Sequence, residues 1–265
     1  IPHHFTTRIN LENELTIGSG IDIIGSGPVG TDERGPIISF PGDSHGIVFT
    51  GVGDPAYTGT GGSVQNLKLR ARTHMSGDAL TITAAGKDSR SGEMLLQRLL
   101  IYGDGHGDGV RGTADRGIVI DGSMLRQPGA AGIRRVTMHD IRIADTRRES
   151  ILLNNAVHCS MTSVQIDTGV GVLPVLRIVD GQNIVGTNLI INGQVILEGT
   201  ANDIMLSGRF DEVIVKSTVR NCVITGPVRA LYVEPGATGA FYGIAKIIED
   251  RSQTGFTRFA HKLTP

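Results

Sequence analysis

The chain repeats a short phrase in which a polar residue or Arg is followed by an apolar, a variable and an apolar residue. Seven copies are present, led by Asn66, Arg98, Asp140, Ser163, Asn188, Asp203 and Asn221. The spacing of these lead residues shrinks from 32 and 42 residues in the first copies to 15 and 18 in the last. A second series of apolar–variable–apolar triplets alternates with them, at residues 80–82, 118–120, 151–153, 176–178, 195–197, 213–215 and 231–233. Two alternating series of strand-length repeats are typical of an all-β chain folded as a parallel solenoid.

The triplets also predict which side chains face inward. Side chains alternate across a strand, and the first and third residues of each triplet are nearly all Leu, Ile, Val or Met, so we expect them inside. The middle residues then form an outer column, polar at first and apolar later: Lys68, Leu100, Arg142, Gln165, Ile190, Met205 and Val223, continued by Ile196 and Ile214. An apolar outer surface favours burial against other copies of the chain, most naturally in a homotrimer with parallel axes. The alternative is that one C-terminal copy is displaced by one residue.

Composition narrows the range of partners. Glycine is abundant, at 37 of 265 residues, and in a solenoid it belongs at the tight turns. The formal net charge is −1 without a block of Lys or Arg, which makes nucleic acid an unexpected partner. No apolar run reaches the ~18–20 residues of a membrane span, so we expect no membrane insertion. Cys159 and Cys222 occupy apolar strand positions and are expected to be reduced core residues, with a disulfide or reactive thiol as the alternative.

The domain organisation predicted from these patterns is one elongated unit over residues 1–233. No linker or shift in composition interrupts the two series. Residues 234–265 lack the pattern and carry four of the eleven aromatic residues, Phe241, Tyr242, Phe256 and Phe259. Because the open end of a solenoid must be covered, we expect this segment to cap the last coil or to contact a neighbouring subunit.

The first seventy residues resemble the opening coils of pectate-lyase-like right-handed β-helices, especially bacteriophage tailspikes and tail-fibre depolymerases. The similarity lies in the phrases at 5–9, 15–17, 20–27, 36–40 and 63–69, and at the level of the fold it extends over residues 5–233. It implies a right-handed parallel β-helix in a virion tail or outside the cell, acting on a bacterial surface polysaccharide by hydrolysis or by β-elimination. Such proteins usually carry a capping strand and helix upstream, which are not found before Ile1, so we expect the chain to belong to a larger spike protein.

Four carboxylates are the candidate acid and base residues for that activity. Hydrolysis of a glycosidic bond needs two carboxylates, about 5–5.5 Å apart for retention or about 6.5–9.5 Å for inversion. Stacked strands are about 4.8 Å apart, so carboxylates at matching places on neighbouring coils approach these separations. Asp104, Asp145 and Asp167 follow strands on three consecutive coils, and Glu149 comes in the next turn. The alternative is that each aspartate only ends its strand and satisfies turn amides.

The same region supplies candidate substrate-binding residues. These are Tyr102 and Arg142 beside the strands and His106, Asp108 and Arg111 in the glycine-rich loop 103–112, with the two arginines suited to an acidic sugar. No cofactor is expected, although alternating Asp and Gly in that loop could instead bind Ca²⁺. Arg142, His139 and His106 are available as the base of a lyase. The chain has no Trp and only 4% aromatic residues, which favours the other alternative, a structural or adhesive spike without catalysis.

Overall fold

The computed structural model of the protein is all-β. It describes residues 3–5, 8–18, 20–27, 29, 35–41, 44–50, 61–72, 77–83, 93–103, 114–123, 133–167, 174–252 and 255–262, with only the backbone at 3–5 and 259–262. Within these residues there is no helix, and 22 strands are formed. The strands are β1 His3–Phe5, β2 Arg8–Asn10, β3 Leu15–Ile17, β4 Ile21–Gly25, β5 Ile37–Phe40, β6 Ile47–Thr50, β7 Gly62–Ala71, β8 Leu80–Thr83, β9 Met94–Gly103, β10 Ile118–Asp121, β11 Ile133–Arg134, β12 Thr137–Ala144, β13 Ile151–Asn154, β14 Ala156–Val157, β15 Ser160–Asp167, β16 Pro174–Val179, β17 Gln182–Glu198, β18 Asn202–Val215, β19 Cys222–Thr225, β20 Val228–Val233, β21 Gly239–Asp250 and β22 Phe256–Lys262.

The described strands pair in parallel and form three long ladders. Ladder A joins β1, β4, β7, β9, β12, β15, β17, β18, β19, β21 and β22. Ladder B begins with β2 and β5 and then uses the C-terminal halves of β7, β9, β12 and β15. Ladder C joins β3, β6, β8, β10, β13 and β16 before it continues through β17, β18, β20 and β21. The chain visits A, B and C in that order, and we call one such passage a rung.

The predicted inward positions are the core. On ladder C, for example, Ile118 and Ile120 pair with Ile151 and Leu153, and all four side chains are fully buried. The two cysteines are also in this core, and neither forms a disulfide. The second series of triplets is therefore confirmed as one continuous ladder, from Leu80 to Val233.

The first series of triplets needs a correction. Its first five copies are in register on ladder B, but the copies led by Asp203 and Asn221 lie on ladder A, where Met205 pairs with Val185 and Val223. Both ladders begin after a polar residue with positive φ, so the same phrase marks two different corners. The apparent spacing of 15 residues, between Asn188 and Asp203, therefore joins a copy on ladder B to a copy on ladder A and is not the length of a rung. The true rungs shorten from 42 residues, between Leu96 and Met138, to 17, between Ile224 and Phe241.

The C-terminal segment continues the ladders. β21 pairs with β19 and β20, and β22 pairs with β21 as far as Lys262. The pattern therefore does not break at residue 233 as the sequence suggested. Phe241 and Ala245 fill the inward positions that Leu, Ile or Val fill elsewhere, which hides the repeat. That this segment caps an end or contacts a neighbouring subunit stays a prediction.

Candidate functional site

The outward face of ladder B brings several predicted site residues together in two columns. In one column Lys68, Leu100, Arg142, Gln165 and Ile190 follow one another in register from rung to rung. The second column, two residues further along each strand, contains Arg70, Tyr102, Ala144, Asp167 and Asn192. Ile143 pairs with Ile101, and Ala144 and Tyr102 are the next residues on these two strands, so Ala144 lies beside Tyr102. Three predicted residues, Tyr102, Arg142 and Asp167, therefore share one surface.

Asp167 is the centre of a hydrogen-bond network on this surface. Arg142 donates from Nε and Nη2 to Oδ2, at 3.2 and 3.1 Å. Gln165 Nε2 donates to the same oxygen at 2.8 Å, and Asn192 Nδ2 donates to Oδ1 at 2.9 Å. These contacts fix the carboxylate in one orientation and pair its charge with a guanidinium. Arg142 is thus bound to Asp167, which the sequence could not show.

Tyr102 lies on the rung before Ala144, with a cation on its other side. The guanidinium carbon of Arg70, on the preceding rung, is 6.0 Å from the centre of the Tyr102 ring, within the range of a cation–π contact. Arg70 and Lys68 face outward and are nevertheless buried, Lys68 completely. The polar part of the outer column is therefore buried on this rung.

Asp145 is not at the register position of Asp167. Asp167 pairs with Ala144, and Asp145 is the next residue, at the corner that ends the strand, with a φ of 56°. A strand spacing of ~4.8 Å and a rise of ~3.3 Å place the two Cα atoms roughly 6 Å apart. The two aspartates are thus neighbours on adjoining rungs, as expected, but Asp145 is at the corner and Asp167 is on the strand.

Glu149 belongs to a different set of contacts. Its side chain is 4% exposed and lies between two arginines, with Oε1 3.2 Å from Arg177 Nη1 and Oε2 3.6 Å from Arg148 Nε. Arg177 in turn bonds Glu198, with 2.6 Å between Nε and Oε1. Burial alone would lower the pKa of the Arg177 guanidinium, but the hydrogen bonds and charges of Glu198 and Glu149 raise it overall.

Four predicted residues, Asp104, His106, Asp108 and Arg111, lie outside the described residues, as does the proposed Ca²⁺ loop after Gly103. In the part of the chain that the structure describes, no group of three or more His, Cys, Asp and Glu side chains is arranged to hold a metal ion. The described residues also include no helix long and apolar enough to cross a bilayer.

Sequence reasoning missed a chain of alternating charges that runs beside ladder C. Its first charges are Asp78, Arg116 and Glu149, each two residues before the ladder C strand of its rung, and the imidazole of His45 takes the same place on the rung before Asp78. Arg116 donates to both carboxylate oxygens of Asp78, at 2.8 and 2.9 Å, and Asp78 N–H donates to His45 Nδ1 at 2.9 Å. Glu149 leads on to Arg177 and Glu198. A count of charges two residues before each triplet of the second series would have found its first three charges, Asp78, Arg116 and Glu149.

This ionic chain affects the charge state of its members. Burial alone would lower the pKa of the Arg116 guanidinium, but the hydrogen bond and charge of Asp78, with smaller effects of Glu149 and Asp115, raise it. On the next rung after Glu198, Lys216 Nζ is 2.7 Å from Oε1 of Glu234, which is one rung further along. The hydrogen bond from Lys216 lowers the pKa of Glu234. The cations and carboxylates of the chain are thus all held in their charged forms where a shift is resolved.

Comparisons with known proteins identify no relative of this chain. No protein-family model matches it, no curated protein matches it, and no solved structure matches it. The functional argument therefore rests on the site itself.

Proposed function

We propose that the chain is a β-helical spike of the bacteriophage tailspike type, which binds a bacterial surface polysaccharide and cleaves it. The observation that carries this proposal is the outward face of ladder B, where an ordered network around Asp167 shares one column with the aromatic side chain of Tyr102, two rungs away. Fixed acceptors and donors beside an aromatic side chain are the groups that recognise sugar hydroxyls and sugar ring faces. A surface that repeats from rung to rung suits an extended polymer.

The proposed architecture is a right-handed parallel β-helix. Three in-register parallel ladders visited in a constant order support a single coil of chain that stacks on itself. The right hand is the expected one, because connections between parallel strands of one sheet are right-handed in about 98% of cases. In a virion this coil would form part of a longer spike in the tail.

For cleavage, we propose hydrolysis with Asp145 as one of the two carboxylates. Asp145 is at the end of ladder B next to the Asp167 network, and the corner frees it from the alternation of the strand. Asp167 or Asp104 is the second carboxylate. β-Elimination is the second mechanism, with Arg142 or His139 as the base.

One observation favours the alternative of a non-catalytic adhesive spike. The Asp167 carboxylate accepts hydrogen bonds from three side chains and is paired with Arg142. A carboxylate whose oxygens already accept these hydrogen bonds is better suited to orienting a bound ligand than to taking part in the reaction.

The test is a panel of bacterial capsular and O-antigen polysaccharides, with binding and cleavage measured on the same samples. Cleavage is followed by release of reducing ends and by the ultraviolet absorbance of unsaturated products. Wild type is compared with Asp145→Asn and with Asp211→Asn, a matched control because Asp211 is half-exposed on a C-terminal rung.

Reducing ends without absorbance, lost only in Asp145→Asn, would support the hydrolase. Unsaturated products would assign a lyase. Binding without either product would assign the adhesive spike, and absence of binding to every glycan would contradict the whole proposal.

A further inference from the structure

The inward positions of the coil change from apolar to charged on its last two described rungs. On ladder A, Arg258 follows the fully buried Phe241 in register. On ladder C, Asp250 follows Val233, which is buried as well. A core that simply continued would have apolar side chains at both places, as it has on every described rung from β12 to β20.

The two charges form an ion pair at this end of the core. Arg258 Nε is 3.2 Å from Asp250 Oδ2, and the Asp250 side chain is only 7% exposed. The other carboxylate oxygen accepts hydrogen bonds from the Ser252 backbone N–H and hydroxyl, at 2.9 and 2.6 Å. Because a buried carboxylate is costly unless its charge is paired, Asp250 depends on Arg258. The Arg258 side chain is half-exposed and extends from the core to solvent.

We infer that the Asp250–Arg258 pair is a latch that holds β22 over the end of the apolar core and prevents that end from associating with a second copy of the chain. This inference does not depend on the proposed activity. Among the described residues β22 pairs with β21 alone, through ladder A and the start of ladder B. The ion pair adds a contact to ladder C, which the backbone of β22 does not reach. Repeat proteins need such a polar end to stay soluble.

The release of β22 would uncover an apolar surface and a strand edge together. Phe241 is the partner of Arg258 in ladder A, and Phe256 of β22 is 7% exposed beside it. Without β22 the backbone of β21 from Gly239 to Ala245 would lose its partner. An unpaired edge next to buried aromatic side chains is a template for pairing with another chain. A second copy fits this edge, because its own strands already pair in parallel.

Arg258→Met tests the latch, because it leaves the buried Asp250 carboxylate without its cation. The matched control is Arg251→Met, which removes an arginine 3.3 Å from Glu249 in a pair that is exposed on both sides. Hydrogen exchange is followed by mass spectrometry in the segment 256–262, and association by sedimentation velocity over a range of concentrations. We expect Arg258→Met to exchange at least about tenfold faster in β22 and to form larger species than wild type as concentration rises. Arg251→Met should behave like wild type in both measurements.

Two results would overturn the inference, with circular dichroism and thermal unfolding used to verify that each variant is folded. Wild-type exchange in β22 of Arg258→Met would show that the pair is no latch. Faster exchange without larger species would show that the closed end does not exclude a second copy. If Arg258→Met does not fold, Asp250→Asn takes its place, because it keeps an oxygen for Ser252 and removes only the charge. Unchanged exchange in Asp250→Asn would equally contradict the latch.

Discussion

The lead residue of every repeated phrase has a positive φ angle, between 52° and 56° for all seven copies. Only glycine reaches this left-handed region without cost, and Asn and Asp tolerate it better than other residues. Nine of the fourteen non-glycine residues with positive φ among those described are accordingly Asn or Asp. Their side chains also bond along the axis, as Asn188 Nδ2 does to Ser163 Oγ at 2.9 Å. The polar lead residue therefore marks a corner of the backbone, and the preference for Asn or Asp there follows from its positive φ angle.

Buried thiols provide a prediction at the same scale. Burial raises the pKa of the Cys159 thiol to about 11 and that of the Cys222 thiol to about 12, from an ordinary value of 9.0. We expect neither cysteine to react with Ellman's reagent in the native protein at pH 8, and both to react in denaturant. Rapid labelling of the native protein would contradict the burial of these side chains.

The raised pKa values also make stability depend on alkaline pH. The native state keeps the two thiol protons, whereas the unfolded chain releases them as the pH rises above about 9. The free energy of unfolding should therefore fall between pH 9 and pH 11, by up to about 1.4 kcal/mol per pH unit for each thiol. Cys159→Ala should reduce the slope of stability against pH in urea titrations at several pH values. If the slope of stability against pH is the same in Cys159→Ala as in wild type, other titrating groups cause the loss of stability.

At the scale of elements, the ionic chain beside ladder C joins rungs that otherwise meet through the backbone and the core. Asp78 is 3% exposed and depends on Arg116 for its charge pairing. Removal of one partner from a buried pair leaves an uncompensated charge, which costs more than the pair itself contributes. The ionic chain therefore makes the stability of the contact between neighbouring rungs sensitive to single substitutions.

Arg116→Met tests this sensitivity. We expect the free energy of unfolding to fall by about 3 kcal/mol, because the buried Asp78 carboxylate then keeps only a long hydrogen bond from Thr81 Oγ1, at 3.5 Å, and His45 Nδ1 at 3.6 Å. The double variant Arg116→Met with Asp78→Asn should regain much of that loss. Arg229→Met is the control, since its contacts with Asp211 and Glu212 are at 4.0 and 3.8 Å on the surface, and it should change stability by less than about 1 kcal/mol. Equal effects of the two single variants in urea unfolding would refute the argument.

How much the sequence could predict depended on the element. Ladder C was predicted from Leu80 to Val233, because its triplets there are uniformly apolar at the inward positions. Ladder B was predicted as far as Ile191, after which the corner shortens and Gly208 pairs directly with Leu189. At Gly208 a side chain would meet the Leu189 carbonyl oxygen at 2.2 Å, so the short rungs require glycine where longer ones use Asn or Asp. The partners of Asp167 and Glu149 could not be predicted, because they depend on register between rungs.

At the scale of the whole molecule, the C-terminal rungs expose apolar side chains on all three ladders. Met205 and Val223 are outward on ladder A, Ile190 is outward on ladder B, and Ile196 and Ile214 are outward on ladder C. Met205 is 44% exposed and Ile190 39%. A cyclic trimer needs two different surfaces on each subunit, and apolar residues on neighbouring faces of the same rungs would supply them in the expected homotrimer.

Met205→Lys is the corresponding prediction. If subunits associate through ladder A, light scattering should show wild type as a trimer and the variant as a smaller species. Thr137→Lys is the control, because Thr137 lies in the same outward column three rungs earlier and is already exposed. A wild type that is monomeric at all concentrations would contradict the proposed trimer, and a trimeric Met205→Lys would remove ladder A from the contact.

The parallel ladders have a mechanical consequence. In the proposed β-helix, backbone hydrogen bonds between rungs run along the axis of the coil, so a pull on its two ends loads them directly in tension. Within one boundary between rungs the three ladders share the force, but successive boundaries transmit the same force one after another. Each added rung therefore lengthens the molecule by about 4.8 Å without changing the force at which it breaks. Its tensile strength is set by the weakest boundary, whatever the number of rungs.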